Sequence, residues 1–151
     1  MKFRNVKGKE EKHPPEVYSW RPAVYGVLIK NKKLLLIQPN WDNKYCLPGG
    51  SMELGETPTV ALKREFLEET GYKVTVNPQP IFVDSHLFAN PDAGRFFQRL
   101  SVYFKIELVS KRQFTDINEE STKIMWRSLK EISSKDFTYF QRDFLKTILE
   151  K

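Results

Sequence analysis

Leu47–Tyr72 reads LPGGSMELGETPTVALKREFLEETGY. Thr57 is a good N-cap, Pro58 suits the first helical position, and Gly71 suits the residue just past the end. The stretch therefore predicts a helix over Thr57–Thr70 preceded by a glycine loop. On that helix Glu65, Glu68 and Glu69 stand at i, i+3 and i+4, which places three carboxylates on one face. Like charges so spaced cost about 0.2–0.5 kcal/mol per pair. Glu68 and Glu69 also sit in the last turn, where the helix dipole disfavours anions by roughly 0.3–1 kcal/mol each. Arg64 can pair with Glu68 at i+4, but most of the negative charge is left unanswered.

A hard divalent cation would answer it, and carboxylate oxygens suit Mg²⁺ or Mn²⁺. With two histidines and one cysteine in the chain, zinc has few ligands to call on. The plain alternative is a solvated acidic helix face. The loop favours the metal: Gly49-Gly50 permits backbone conformations closed to other residues and close approach to a ligand. Glycine loops beside helices commonly present main-chain groups to phosphate or metal.

These residues resemble the Nudix hydrolases, whose pattern is G-x5-E-x7-R-E-U-x-E-E-x-G-U with U a bulky apolar residue. Here it runs Gly50, Glu56, Arg64, Glu65, Phe66, Glu68, Glu69, Gly71 and Tyr72, with every fixed-identity position matched at the right spacing. Phe66 and Tyr72 are aromatic where the family mostly uses aliphatic residues. The resemblance implies an α/β fold, an α/β/α sandwich with a mixed β-sheet between helices. It implies a loop–helix–loop that binds Mg²⁺ or Mn²⁺ and the diphosphate of a nucleotide derivative. It makes Glu65, Glu68 and Glu69 metal ligands, one of them acting as base, with the Gly49 carbonyl as a further ligand. Arg64 would orient a catalytic carboxylate, and Gly50, Glu56 and Gly71 would support the loop. A further glutamate outside the box often precedes a Trp-containing strand; Glu120 before Trp126 resembles it, with Glu119 as rival.

Outward from the box, residues 1–15 are a polar arm and residues 16–151 the expected Nudix domain. Val17–Lys30, broken at Pro22, reads as strand. Asn31-Lys32 reads as a turn, and Lys33–Gln38 as the returning strand. Pro39–Gly50 reads as a loop. Val74–Val76 and Ile81–His86 read as short strands, Phe88–Arg95 as a turn-rich connector, and Phe96–Leu108 as a long alternating strand. Phe140, Phe144, Leu145 and Ile148 predict a second helix over Asp136–Lys151.

The chain has 151 residues, 40% hydrophobic and 29% charged, which suits one folded domain. No apolar run is long enough to span a bilayer, and the N-terminus lacks the apolar core of a secretory signal. The single cysteine, Cys46, excludes an internal disulfide. A cytoplasmic protein without membrane contact is the expectation. The net charge of +6 favours anionic partners without choosing among them.

The expected reaction is hydrolysis of the phosphoanhydride in a small nucleotide. Trp20, Trp41, Tyr45, Phe88 and Phe96 are candidate stacking groups for the base, with Trp41, Tyr45 and Phe88 preferred. Some subfamilies carry a diagnostic Pro or Tyr beyond the box, where this chain has Leu87 and Phe88. That leaves a nucleoside triphosphate as first choice of substrate. The competing readings are a catalytically silent nucleotide sensor and an RNA end-processing pyrophosphohydrolase. Nucleic-acid binding alone is not favoured, because the acidic face repels a phosphate backbone unless metal is bound.

Overall fold

The computed structural model describes residues 2–4, 9–39, 42–110 and 122–150. Trp41, Glu119 and Glu120 lie outside the described residues. The elements that frame the site are strands β1 (Lys2–Arg4), β2 (Glu10–Lys12), β3 (Ser19–Trp20), β4 (Ala23–Val27), β5 (Ile29–Lys30), β6 (Lys33–Pro39) and β7 (Gly49–Ser51). Helix α1 (Pro58–Thr70) follows, then β8 (Val74–Asn90), β9 (Arg95–Leu108), β10 (Thr122–Ser128) and helix α2 (Arg142–Leu149).

The larger sheet is mixed. β9 is its centre, antiparallel to β8 on one side and parallel to β3 and β4 on the other; β7 closes the far edge antiparallel to β4. A second sheet runs β10–β6–β5, and the Leu35 amide donates to the Leu28 carbonyl at 3.0 Å to join the two. In the polar arm β1 and β2 pair with each other as a separate two-stranded sheet.

Strand alternation divides the core in two. Val24, Leu35, Phe104 and Ile106 face one side and pack on Ala61, Leu62 and Phe66 of α1. Tyr25, Leu34, Leu36 and Tyr103 face the other and pack on Phe144 and Leu145 of α2. Helix, sheet and helix form the expected α/β/α sandwich. Among the described residues no helix is long and apolar enough to cross a membrane.

Three elements differ from expectation. The two short strands after α1 are one strand, β8, paired with β9 up to Asn90↔Arg95. Pro78 and Pro80 obscure it in the sequence, and the register shifts between Val76 and Phe82 absorb them. Phe88 thus lies on a strand, and the expected connector shrinks to a turn at Pro91–Ala93 closed by Gly94. The second helix begins at Arg142, because the Tyr45 amide donates to Asp136 O and the Thr138 amide to Tyr45 O, holding Phe137 and Thr138 extended. Gly49-Gly50, expected in a loop, belongs to β7. Asn31 and Lys32, with φ of 51° and 60°, form the tight turn of the β5–β6 hairpin.

Candidate active site

α1 forms as its sequence specifies. The Thr57 hydroxyl accepts the Val60 amide, Pro58 occupies the first turn, and Gly71 adopts φ 71° while its amide donates to Leu67 O. The apolar face seats the helix on the sheet, which leaves Glu65, Glu68 and Glu69 along the border with β7. Two glycines let the carboxylates come that close. A Cβ on Gly49 would stand 2.0 Å from the Val24 carbonyl oxygen, at a φ of +146°. A Cβ on Gly50 would stand 2.7 Å from the Glu65 carboxylate.

Arg64 organises the acids around it. Its Nε and Nη2 donate to the two oxygens of Glu56 at 2.6 and 2.8 Å, a bidentate pair. Nη1 donates to Glu65 at 3.0 Å and to Glu68 at 3.3 Å, and Nη2 also donates to Ser51 O at 3.1 Å. The Glu53 amide donates to Glu56 as well. The Arg64 bonds, then the Glu53 amide, hold the Glu56 carboxyl down at about 2. Glu56 is thus a fixed anion that anchors the arginine.

The remaining carboxylates are under-neutralised. Burial pushes the Glu65 pKa up and Arg64 only partly counters it. Burial pushes Glu69 up to about 8, against the Gly49 amide that donates to it at 2.9 Å, with Glu65 and Glu68 raising it further. Among the described residues Arg64 is the only cation paired with this group, and it does not reach Glu69. As the side chains stand, no three of His, Cys, Asp and Glu converge on one point among the described residues. The reason is visible: Glu65 is turned onto Arg64 and Glu69 onto the Gly49 amide, while Glu68 remains 59% exposed. The donor set is hard oxygen with surplus negative charge on one helix border, which fits a divalent cation such as Mg²⁺ or Mn²⁺.

The aromatic candidates fall in different places. Tyr45 meets Phe137 edge-on, with ring centroids 6.0 Å apart, and Arg127 Nη2 donates to its hydroxyl at 3.1 Å. Phe88 lies on β8, stacked on Phe97 and edge-on to Phe140. Cys46 is buried, and burial pushes its thiol up to about 12, which favours the neutral thiol over the nucleophilic thiolate. One residue passed over in the sequence is Arg99. It stands on the α2 side of β9, where Nη1 donates to the Tyr25 hydroxyl at 3.0 Å and the guanidinium lies 5.1 Å from the Phe88 ring centroid. The signal was an arginine between Phe97 and Tyr103 on the strand positions opposite Leu100 and Val102.

The Nudix domain family model matches residues 19–148. A Bacillus subtilis (strain 168) protein that carries the provisional name 8-oxo-dGTP diphosphatase is 41% identical over 79 residues, covering 45% of this chain and 50% of that protein. A Methanocaldococcus jannaschii protein named ADP-ribose pyrophosphatase is 44% identical over 52 residues, covering 32% of this chain and 31% of its own length. The chain spans half or less of the length of the curated relatives it matches. The crystal structure of the MutT protein from Methanosarcina mazei Go1 is similar in fold, with a TM-score of 0.63 at 18% identity over 86% of this chain and 93% of that one. On the family match over most of its length, the chain belongs to the Nudix domain family.

Proposed function

We propose that the chain is a metal-dependent pyrophosphohydrolase that cleaves the phosphoanhydride of a nucleoside di- or triphosphate derivative. The observation that carries the reading is Glu69: a half-buried carboxylate without a cation among the described residues, fixed by the Gly49 amide beside Glu65 and Glu68. Glu65, Glu68 and Glu69, with the Gly49 carbonyl, would hold Mg²⁺ or Mn²⁺. Glu120, outside the described residues, is the proposed additional ligand. A bound ion supplies charge neutralisation at phosphate oxygens and a lowered pKa for water.

The chain's own groups do the rest. Arg64, anchored by Glu56 and Ser51 O, fixes the orientation of Glu65 and Glu68. A glutamate of the set, Glu65 or Glu68, accepts the proton of the attacking water. Water adds to one phosphorus in line, the bridging oxygen leaves with the other phosphate, and the proton is passed to solvent. The relatives' names point to two nucleotide classes, an oxidised nucleoside triphosphate and ADP-ribose. A nucleoside triphosphate is the preferred substrate here.

The test is a panel of nucleoside triphosphates, ADP-ribose, dinucleoside polyphosphates and 5′-triphosphate RNA, incubated with Mg²⁺ or Mn²⁺, with products identified by mass. The reading expects metal-dependent release of a nucleoside monophosphate with a phosphorylated remainder, or with pyrophosphate from a triphosphate. Binding of nucleotide without turnover of any compound would make the chain a sensor. Turnover confined to RNA ends would make it an RNA-processing enzyme.

A further inference from the structure

The face of the sheet beneath α2 carries a second polar feature, built around Arg99. Strand alternation puts Phe97, Arg99, Ser101 and Tyr103 of β9 on that face, and the register sets His86 opposite Arg99 and Phe88 opposite Phe97. The Arg99 guanidinium is half-buried. One N–H bonds the Tyr25 hydroxyl, and its Nε is buried without an acceptor. Among the described residues no carboxylate pairs with it. Asp84, on the same face of β8, is engaged with His86 at 2.9 Å. A partly desolvated arginine with unspent donors and no counter-charge is costly unless a ligand supplies acceptors.

The surroundings say which acceptors. Phe88 stacks on Phe97 at 6.1 Å and meets Phe140 edge-on at 6.5 Å; Tyr139 closes the side, 6.4 Å from His86. Phenyl walls are poor neighbours for a hydrated phosphate, but they suit a planar base. Tyr25 also links this face of the sheet to the acidic site, since it pairs with Gly49 across β4 and β7. A guanidinium fork fits the adjacent O6 and N7 acceptors of a 6-oxopurine. The 6-amino group of adenine would present a donor to a group that has only donors. We propose that Arg99, held by Tyr25 and Phe88, selects the base of the substrate by taking the acceptor edge of a 6-oxopurine nucleotide.

This proposal rests on the reading of the site as a nucleotide hydrolase, and its test separates the two. Binding of GMP and AMP is measured by calorimetry without metal, and kcat/KM for dGTP and dATP is measured with Mg²⁺. The wild type is expected to prefer GMP and dGTP. Arg99→Met should weaken GMP by roughly tenfold to a hundredfold while AMP changes by less than about threefold. Equal losses for both bases would mean a phosphate contact and overturn the proposal, as would a wild type without preference. Should Arg99→Met fail to fold, Arg99→Lys keeps the charge and loses the fork; retained preference in that variant overturns the proposal. Glu69→Gln should keep the GMP preference in binding. If wild type prefers GMP and turns over no nucleotide, the hydrolase reading fails and Arg99 stands. If nucleotides are hydrolysed with no base preference, the reverse holds.

Discussion

Two walls of this molecule handle charge in opposite ways. Along α1 and β7, negative charge is oversupplied, and each acid is held by a backbone amide, by Arg64 or by both. Along β8 and β9, Arg99 stands among aromatic rings without an acid partner among the described residues, and Arg21 lies over the neighbouring Phe97 ring at 4.7 Å. The first wall is built from near neighbours: Arg64 to Glu56 spans 8 residues and Gly49 to Glu69 spans 20. The second is built from distant ones: Arg99 to Tyr25 spans 74 residues and Tyr139 to Leu87 spans 52. The proposed hydrolytic chemistry would rest on one helix and its loop, and the proposed recognition on sheet register.

The sharpest way to break that contrast is Glu69→Gln. Glutamine keeps the acceptor for the Gly49 amide and nearly the same volume, and removes only the charge. Turnover should fall by about a thousandfold or more, the scale of losing a metal ligand or base. The metal-free variant should melt at a higher temperature than wild type at pH 8, because a half-buried carboxylate whose neutral form the fold favours no longer has to ionise. Wild-type turnover would remove the acidic wall from the mechanism.

Arg64→Lys comes next. A lysine cannot reproduce the bidentate grip on Glu56 while also reaching Glu65, Glu68 and Ser51 O. Activity should fall roughly tenfold to a hundredfold, the usual effect of losing a group that orients ligands. The GMP preference assigned to the other wall should not move. Metal titration by calorimetry separates a loss of affinity from a loss of rate.

That difference in span also explains what the sequence could say. The helix announces itself through Thr57, Pro58 and Gly71, and the carboxylate spacing needs no tertiary information. Phe88 is legible as an aromatic but not as a strand residue, because Asn90, Pro91, Asp92 and Gly94 just beyond it read as a turn that the structure confines to Pro91–Gly94. The start of α2 was hidden because the bonds of Tyr45 with Asp136 and Thr138, made across the fold, outweigh the helical spacing. Arg99 was invisible for the same reason: its partners Tyr25 and Phe88 lie on other strands.

The two adjacent glycines should fail differently. Gly49→Ala forces a left-handed φ and a clash with the Val24 backbone, which cannot move cheaply. It should cost about 2–4 kcal/mol of stability, read from denaturant unfolding. Gly50→Ala meets only the flexible end of Glu65. Its stability should change little, while the displaced carboxylate lowers activity by about tenfold. Equal destabilisation by both would mean that Glu65 is as rigidly held as the backbone.

The smallest effect tests the electrostatics of the acidic wall directly. A carboxyl raised to about 8 is favoured in its neutral form by the fold. Its contribution to stability is present below the usual carboxylate range and is lost as pH rises through about 8. Metal-free protein should therefore lose thermal stability between pH 5 and pH 8 by way of this group, and saturating Mg²⁺ or Mn²⁺ should restore it. Metal binding demands the ionised carboxylate, so at pH 7 it should release a proton, up to about one per site. Calorimetry in buffers of different ionisation enthalpy measures that release, which should fade by pH 9 as Glu69 ionises unaided. Release that stays constant across this range would assign the proton to another group. Glu69 would then be an ordinary surface acid, and the distinction between the two walls would lose its physical basis.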